Sequence, residues 1–483
     1  MTSINESEPV ALMHEDDDPE HGTRRASHRT ARYSAGLTTF ATSLAFFLTG
    51  MDTMIVNVAL PTITADLGGD MALQQWMIDG YTLLFASLLL LAGSLSDRFG
   101  AKRTFLSGTA LFGAASLLSA FAWTMPVLIV GRCLMGVAAA LILPASMALI
   151  NEANPDPRRR AFALGLWGAG SASASAFGPL FGGLLTPIHW SLIFAVNVPF
   201  CLLVLALAPK IAPSPTRAIS FDWLGQTLAL IGLASLTAGV IEIGSLGVSS
   251  PATITLLAVG VAALVLFVIA QGRVPHPMVP LGLFGNDGMR ISLIVGFIMI
   301  FNWFGMVFIS TLFLQGEQGM SPFAAGLAFV PSAVVMVVTN VFSGQIINAM
   351  GTRFTVTIGL AIMAVGFIAA VLVPAPMPAW VIATALSVVG LGGALVTPAL
   401  SGLVLASVDQ RQAGIAGAVF NTFRQVGGAI GVAVFGGAIG VAVFGVVATF
   451  MPSLDGSLRA VFIAAAVLLA AAFAYARLRW SGR

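Results

Sequence analysis

Charge is what this chain has least of: Asp, Glu, Lys and Arg together make up 9% of its 483 residues. A water-soluble domain carries about 25% charged residues, so this composition cannot cover a surface that faces water on every side. Cysteine is scarcer still. Cys133 and Cys201 both fall inside apolar segments, which leaves neither a disulfide framework nor a metal-ligand spacing. The five histidines form no cluster, and no nucleotide-binding loop is present. No hydrophilic stretch is long enough for a soluble catalytic or sensory domain, or for the catalytic loops of an ATP-driven pump. An enzyme, a sensor and a nucleic-acid-binding protein are thereby disfavoured, and no cofactor is expected beyond an ion gradient.

What the chain has instead is apolar length. Hydrophobic residues make up 58% of it, with 52 glycines among them and between them. A helix needs roughly 20 apolar residues to cross a bilayer, and small residues let membrane helices approach closely. Residues 1–35 are the polar exception, with the acidic run Glu15, Asp16, Asp17, Asp18 followed by Arg24, Arg25, Arg29 and Arg32. They lack the basic start and short apolar core of a cleaved signal peptide and read as a disordered cytoplasmic tail.

Apolar runs between polar breaks predict fourteen transmembrane helices. They lie near 36–60, 75–95, 104–123, 125–150, 162–186 and 189–208, then 223–246 and 253–271. The last six lie near 290–314, 324–347, 355–374, 378–406, 414–450 and 458–476. An even count puts both termini on one side, and the charges test it. With cytoplasmic ends, the inside loops hold Arg98, Lys102, Arg103, Arg158, Arg159, Arg160, Lys210, Arg217, Arg273, Arg290, Arg353 and Arg411. The tails add Arg24, Arg25, Arg29, Arg32, Arg477, Arg479 and Arg483, so 19 of the 22 Lys and Arg lie inside. Arg132 and Arg424 are within helices, and Arg459 falls outside. A positive-inside bias of this strength supports both the count and the orientation.

Two internal repeats stand out. Gly93-Ser-Leu-Ser-Asp97-Arg98-Phe-Gly100-Ala-Lys102-Arg103 follows helix 2, and Gly344-Gln-Ile-Ile-Asn348-Ala-Met-Gly351-Thr-Arg353 follows helix 10. The shared spacing Gly-x3-Asp/Asn-x2-Gly-x-Lys/Arg falls in the second loop of each presumed six-helix half. Transporters are often built from such repeats, with the binding site between the halves. The expected organisation is a tail (1–35), an N-terminal bundle (36–208), a linker with two inserted helices (209–271), a C-terminal bundle (272–476) and a cytoplasmic tail (477–483). The second repeat is local: GAIGVAVFG at 428–436 recurs identically at 437–445. It stretches helix 13 well beyond a bilayer width, and nine residues at about 100° each turn whatever follows to the opposite face. Either the helix breaks near Gly436-Gly437 or projects, or the copy is a replication slip tolerated for being small and apolar.

Ionisable groups inside membrane helices are costly and mark functional sites. Here they are Asp52, Asp79, Arg132, Glu242 and Arg424. Asp52 sits mid-helix 1 and Arg132 in the first half of helix 4. A carboxylate that gains and loses an arginine partner between two conformations couples protons to motion; the alternative is a static ion pair.

Several segments resemble the EmrB/QacA-type, fourteen-helix drug:proton antiporters of the major facilitator superfamily. Leu48-Thr-Gly-Met51-Asp52-Thr53-Met-Ile-Val-Asn57-Val-Ala-Leu-Pro61 resembles their helix 1 signature, and Gly93 to Arg103 their loop 2–3 motif. Arg132-x-x-Met135-Gly136 is similar to the helix 4 motif, with Met135 where Gln is usual. Ala174-Ser-Ala-Phe-Gly178-Pro179-Leu-Phe-Gly182-Gly183 resembles the helix 5 antiporter motif, with Ala174 for its first Gly. Phe221-Asp222-Trp223-Leu-Gly225 and Asn421-Thr-Phe-Arg424-Gln425-Val-Gly427-Gly428 are also similar to this family. Trp76-Met-Ile-Asp79-Gly80-Tyr81-Thr-Leu-Leu-Phe-Ala-Ser87 resembles methylenomycin A resistance exporters in particular. The likeness runs from about residue 36 to 476. It implies an all-α major facilitator fold of two six-helix bundles plus two inserted helices. It also implies a proton-coupled exporter of small amphipathic toxins or antibiotics in the plasma membrane, with substrate, protons and lipid as its partners and a monomeric transport unit.

Each motif also has its own physics. In Gly93–Arg103 the glycines permit a sharp reversal, and Asp97 either pairs with nearby arginines or caps a helix, making the loop a cytoplasmic latch or a topology anchor. Gly178-Pro179 with Gly182-Gly183 permits a kink and close packing; the resemblance implies a helix that limits leak. On a peripheral helix 7, Glu242 snorkels or pairs locally. Asp79 and Arg424 are better candidates for the substrate cavity, Arg424 binding an anionic group or pairing structurally. Asn57, Tyr81, Asn302, Trp303, Gln315, Asn340 and Asn421 complete the candidate lining. Helix 10 carries no acid where some dication-exporting members of the resembled family carry one, and the resemblance therefore implies that dicationic substrates are disfavoured. The competing reading is a proton-coupled uptake or metabolite-exporting permease, because fold alone does not set direction.

Overall fold

A computed structural model describes residues 33–216, 221–275, 277–374, 377–408, 413–435 and 454–481. Helices account for nearly all of them. In chain order these are α1 (Ala35–Leu67), α2 (Met71–Phe99), α3 (Ala101–Ala120), α4 (Met125–Ala153) and α5 (Pro157–Leu185). α6 comes in two pieces, Leu192–Ala195 and Asn197–Ala206, and is followed by α7 (Trp223–Leu246) and α8 (Pro251–Gln271). Then come α9 (Asp287–Leu312), α10 (Pro322–Met350), α11 (Thr352–Leu372), α12 (Ala379–Ala406), α13 (Ala413–Ala433) and α14 (Leu454–Ser481). Among the described residues, eleven helical segments are long and apolar enough to cross a membrane; α3, α5 and α13 stand at the other three predicted positions. Helices are what such a sequence must form, since every backbone amide and carbonyl then finds its partner within its own segment.

The starts follow local chemistry. Asp70 accepts from Leu73 N at 2.9 Å, Asp156 from Arg159 N at 2.9 Å, Asn286 from Gly288 N at 2.8 Å and Ser321 from Ala324 N at 3.2 Å. Pro157 and Pro322 then occupy first-turn positions, where a missing amide costs nothing. Two boundaries differ from the sequence reading, and a third prediction lies outside the described residues. α2 continues through Phe99, so Gly93, Asp97 and Arg98 are helical and the reversal falls on Gly100 (φ +91°), as it does on Gly351 (φ +81°) in the second repeat. α6 is interrupted at Val196 because Pro199 lacks the amide that would bond the Ala195 carbonyl. Beyond α13 the described residues continue in helical form to Phe435, so the second nine-residue copy and the break expected near Gly436-Gly437 lie outside the described residues. So do the acidic run and arginines of the N-terminal tail, Arg217, Arg411 and Arg483.

Buried apolar side chains form two main clusters, one drawn mostly from α1–α6 and one from α9–α14. The packing pairs repeat between them: α1 on α5, α2 on α4 and α3 on α4 correspond to α9 on α13, α10 on α12 and α11 on α12. The inserted helices are unequal. α8 faces outward, with Val259, Val261, Val265 and Leu266 exposed, and leans on α7. α7 is not peripheral: Gln226 Nε2 donates to the Ser87 carbonyl of α2 at 2.9 Å, and Ile241 is buried with Ala72 of α2 and Ala433 of α13. At the base of this hairpin Asp222 accepts from Gly225 N (2.8 Å), Gln271 Nε2 (2.5 Å) and Met278 N (3.3 Å).

Candidate functional site

The structure brings Asp52 and Arg132 together. Asp52 is 0% exposed and Arg132 1%, and an Arg132 Nη1 hydrogen bond to Asp52 Oδ2 makes a buried ion pair between α1 and α4. The surrounding residues hold both partners. Asn197 Nδ2, at the start of the second piece of α6, donates to Asp52 Oδ1 at 3.1 Å. Arg132 Nε donates to the Met77 carbonyl of α2 at 3.1 Å. The guanidinium stands 4.5 Å from the Tyr81 ring centroid, and the Tyr81 hydroxyl donates to the Thr49 carbonyl of α1 at 3.0 Å. Met135 places its sulfur within reach of Arg132 Nη1, Ser116 and Ser119, as a weak acceptor. Four helices therefore converge on one charge pair, and neither ion can be removed without leaving the other buried and uncompensated.

Asp79 is placed differently. It is fully buried on α2, and neither carboxylate oxygen has a hydrogen-bond partner among the described residues. Arg424 lies on α13 with its guanidinium 5.6 Å from the Phe420 ring, donating to Asn421 Oδ1 at 3.3 Å, while its Nε has no partner among the described residues. α2 and α13 run side by side in opposite directions, with Gln75 opposite Ala433. Counting down both helices from that point puts Arg424 about 7 Å further along the axis than Asp79 at 1.5 Å per residue.

The remaining candidates divide. Asn302 is fully buried with Oδ1 unpartnered among the described residues, while its Nδ2 donates to Ile298 O at 2.7 Å. Asn57 and Asn421 donate to carbonyls of their own helices, Thr53 at 3.0 Å and Gly417 at 3.1 Å. Trp303 packs in the core of the second half, and Asn340 is partly buried on α10. Gln315, on a π-helical turn at Phe313–Glu317, donates to the Val58 carbonyl of α1 at 2.8 Å, across the boundary between the halves.

The Gly93–Arg103 segment makes its visible contacts within the first half and the linker. Gly100 caps α3 with no side-chain bond, so Asp97, exposed in the last turn of α2, does not cap it. Lys102 Nζ donates to the Ile211 carbonyl beyond α6 at 2.6 Å, and Lys102 N donates to Ser214 Oγ at 3.0 Å. Arg98 stands 4.8 Å from the Phe221 ring, and Arg103 is exposed. The repeat does the same in the second half, where Arg353 Nη1 donates to the Trp480 carbonyl of α14 at 3.1 Å. In both halves the basic residue two positions after the positive-φ glycine holds a carbonyl at the end of the sixth helix.

The helix 5 motif faces two ways. A Cβ on Gly178 would meet Met54 Cβ at 2.5 Å, and one on Gly182 would meet the Ile55 carbonyl at 2.8 Å, both on α1. A Cβ on Gly183 would meet Phe323 Cα at 2.9 Å, and one on Gly326 would meet the Pro179 carbonyl at 2.5 Å, so α5 and α10 touch backbone to backbone across the halves. This seam lies at the opposite end of the helices from Gly100 and Gly351. Asn197 escaped the sequence reading; a lone Asn inside the apolar stretch of helix 6 was its signal.

The family model described as Major Facilitator Superfamily matches residues 42–432. A methylenomycin A resistance protein of Streptomyces coelicolor is 34% identical over 401 residues, 83% of this chain and 84% of that one. The puromycin resistance protein pur8 of Streptomyces alboniger is 36% identical over 394 residues, covering 80% and 78%. The multidrug efflux pump LfrA of Mycolicibacterium smegmatis is 31% identical over 394 residues, covering 81% and 78%. Among solved structures, an auto-inhibited POT family peptide transporter superposes with a TM-score of 0.66 at 18% identity, covering 91% of this chain and 96% of that one. The human organic anion transporter MFSD10 gives 0.63 at 14% identity, covering 92% and 99%. At such identities these two likenesses speak for the fold.

Proposed function

Because the chain belongs to the Major Facilitator Superfamily, we propose that it is a proton-coupled antiporter that exports small amphipathic toxins or antibiotics by alternating access. It is a multi-pass membrane protein, and fourteen crossings with both termini in the cytoplasm fit its charge distribution. In that orientation the Gly100 and Gly351 turns face the cytoplasm, and the Gly183–Gly326 seam lies on the outer side. The exporter reading draws on relatives named for resistance to methylenomycin A and puromycin, and for multidrug efflux.

One observation carries the coupling: the Asp52–Arg132 pair with Asn197 on its second oxygen. A proton delivered to Asp52 neutralises the carboxylate and frees Arg132 from its counter-ion. The desolvated guanidinium then favours whichever arrangement of α1 and α4 offers it other acceptors. Return of the charge on Asp52 restores the pair, and binding of substrate in one arrangement is linked to binding of a proton in the other. Asp79, Asn302 and Arg424, whose polar atoms lack partners in part or whole among the described residues, are the groups available to a substrate.

Expression in a pump-deficient host, scanned against a toxin panel, tests this reading. Resistance to at least one amphipathic compound is expected, abolished by a protonophore and by either Asp52→Asn or Arg132→Ala at unchanged membrane level. Resistance that persists in Asp52→Asn would remove Asp52 from the proton path.

A further inference from the structure

Two hydrogen bonds cross between the halves through neutral side chains. Gln75, 1% exposed on the first turns of α2, donates from Nε2 to the Ala433 carbonyl of α13 at 3.2 Å. Gln315, at the end of α9, donates from Nε2 to the Val58 carbonyl of α1 at 2.8 Å. Both lie at the end of the bundle where α5 meets α10 through Gly183 and Gly326. The flanking side chains are apolar: Ala72, Trp76, Val240 and Ile241 surround Ala433, and Phe308 of α9 and Val432 of α13 are buried within the cluster of the first half.

We propose that Gln75 and Gln315 are the latches of the outer gate, holding the two halves closed on the side away from the cytoplasm through amide-to-carbonyl hydrogen bonds. This rests on the transporter reading above, and adds to it which residues set the balance between the two facings. The chemistry suits a latch that must open every cycle. An ion pair at this position would have to desolvate two charges at every closing, whereas an amide and a backbone carbonyl cost less to bury and are satisfied by water on opening. Each acceptor is a main-chain atom of the opposite half, so the bond reads the distance between halves and nothing about the side chain across from it. The settings differ usefully. Gln315 projects from a π-helical turn, a local widening that aims one side chain off the regular helical row. Its acceptor Val58 follows Asn57, whose carbonyl loses its helical donor at Pro61, so the bond falls where the α1 ladder is already interrupted. Gln75 works on the other side of the seam, beside α7, which packs on α2 and α13 together.

A net gain of about three- to tenfold in the closed-to-open ratio is expected from each bond, multiplying when both are present. Gln318 supplies the control. It sits three residues from Gln315 at the same end, and its Nε2 donates to the Met377 carbonyl, but that acceptor belongs to its own half.

The test is made on the full chain in lipid nanodiscs, with spin labels on Trp123→Cys and Trp380→Cys, exposed positions at the outer ends of the two halves, in a background with Cys133 and Cys201 replaced by Ala. Distance distributions from double electron–electron resonance report the fraction open on that side. Gln75→Leu and Gln315→Leu are each expected to raise the open fraction by the factor above, the double variant by their product, and Gln318→Leu to leave it unchanged. Gln75→Met and Gln315→Met, flexible apolar near-isosteres, repeat the measurement should a leucine variant lose its melting transition. Distributions for the latch variants that match Gln318→Leu in folded protein overturn the proposal. The readout needs neither substrate nor proton gradient, so a shifted gate in a chain that confers no resistance upholds the latch and defeats the exporter reading. An unshifted gate in a resistant chain does the reverse.

Discussion

Replacing Asp52 by Asn is the most informative perturbation of this protein, because the structure separates what it removes from what it keeps. Arg132 Nη1 and Asn197 Nδ2 now each donate to one carboxylate oxygen. An Asn at position 52 offers one acceptor and one donor. Asn197 Oδ1 has no partner among the described residues, so turning the Asn197 amide by 180° lets it accept from the new N–H. Hydrogen bonds are then conserved, and the loss is the counter-charge alone. Breaking a buried pair by removing one member costs about 3–5 kcal/mol, and the retained bonds and the Tyr81 face, worth about 0.5–2 kcal/mol, place this case at the lower end. Adding Arg132→Met removes the orphaned charge and should recover most of that loss. A double-mutant cycle on unfolding in nanodiscs, set beside substrate-driven proton release in proteoliposomes, measures both consequences. Stability should fall in the single variant and return in the double, while proton release falls at least tenfold in both and substrate exchange without a gradient persists in Asp52→Asn. Strictly additive stabilities would refute the energetic pairing, and proton release at the unaltered rate in Asp52→Asn would refute its role.

Other perturbations have equally specific outcomes. Gly326→Val sets a branched side chain against the Pro179 carbonyl, which a Cβ alone would already meet at 2.5 Å, so outer closure should be blocked and transport reduced at least tenfold at normal membrane level. Asp222→Ala removes the acceptor of three donors at the α7–α8 base; a loss of roughly 1–3 kcal/mol is expected from the orphaned donors, seen as a lower melting temperature and faster proteolysis between α6 and α7. Lys102→Ala should lower the melting temperature more than Arg353→Ala, because Lys102 is partly buried and Arg353 exposed; equal shifts would argue against burial as the cause.

Much of this was legible in the sequence for a physical reason. Hydrophobic length and loop charge report where helices lie and which way they run, and α7, predicted over 223–246, spans Trp223–Leu246. An ionisable residue inside such a helix is costly enough to stand out, which is how Asp52 and Arg132 were paired. Asn197 was missed because a neutral amide in an apolar run carries a weaker signal than a charge, and its value depends on which helix faces it. Gln315 was expected in the cavity because polarity alone does not reveal direction; its π-helical turn, set by tertiary packing, aims it at Val58. The intimacy of α7 with α2 and α13 was hidden too, since an apolar helix reads alike whether it faces lipid or protein. The role of Asp97 shifted for a local reason: α2 runs four residues past its predicted end at 95, and what looked like a loop is mostly helix.

That last point bears on how the protein can move. Phe99 ends one helix and Ala101 begins the next, and Met350 and Thr352 stand in the same relation, so in each half two membrane-length rods share a joint of one residue. A joint that short stores no slack. Any rotation of α2 is imposed on α3, and any rotation of α10 on α11, within the angular play of one glycine. Among the described residues, the connections long enough to take up relative motion are those between α6 and α7 and between α8 and α9. Lengthening either glycine joint by a few flexible residues should therefore leave both rods in the membrane while desynchronising them, much as a loosened coupling lets two shafts turn out of step.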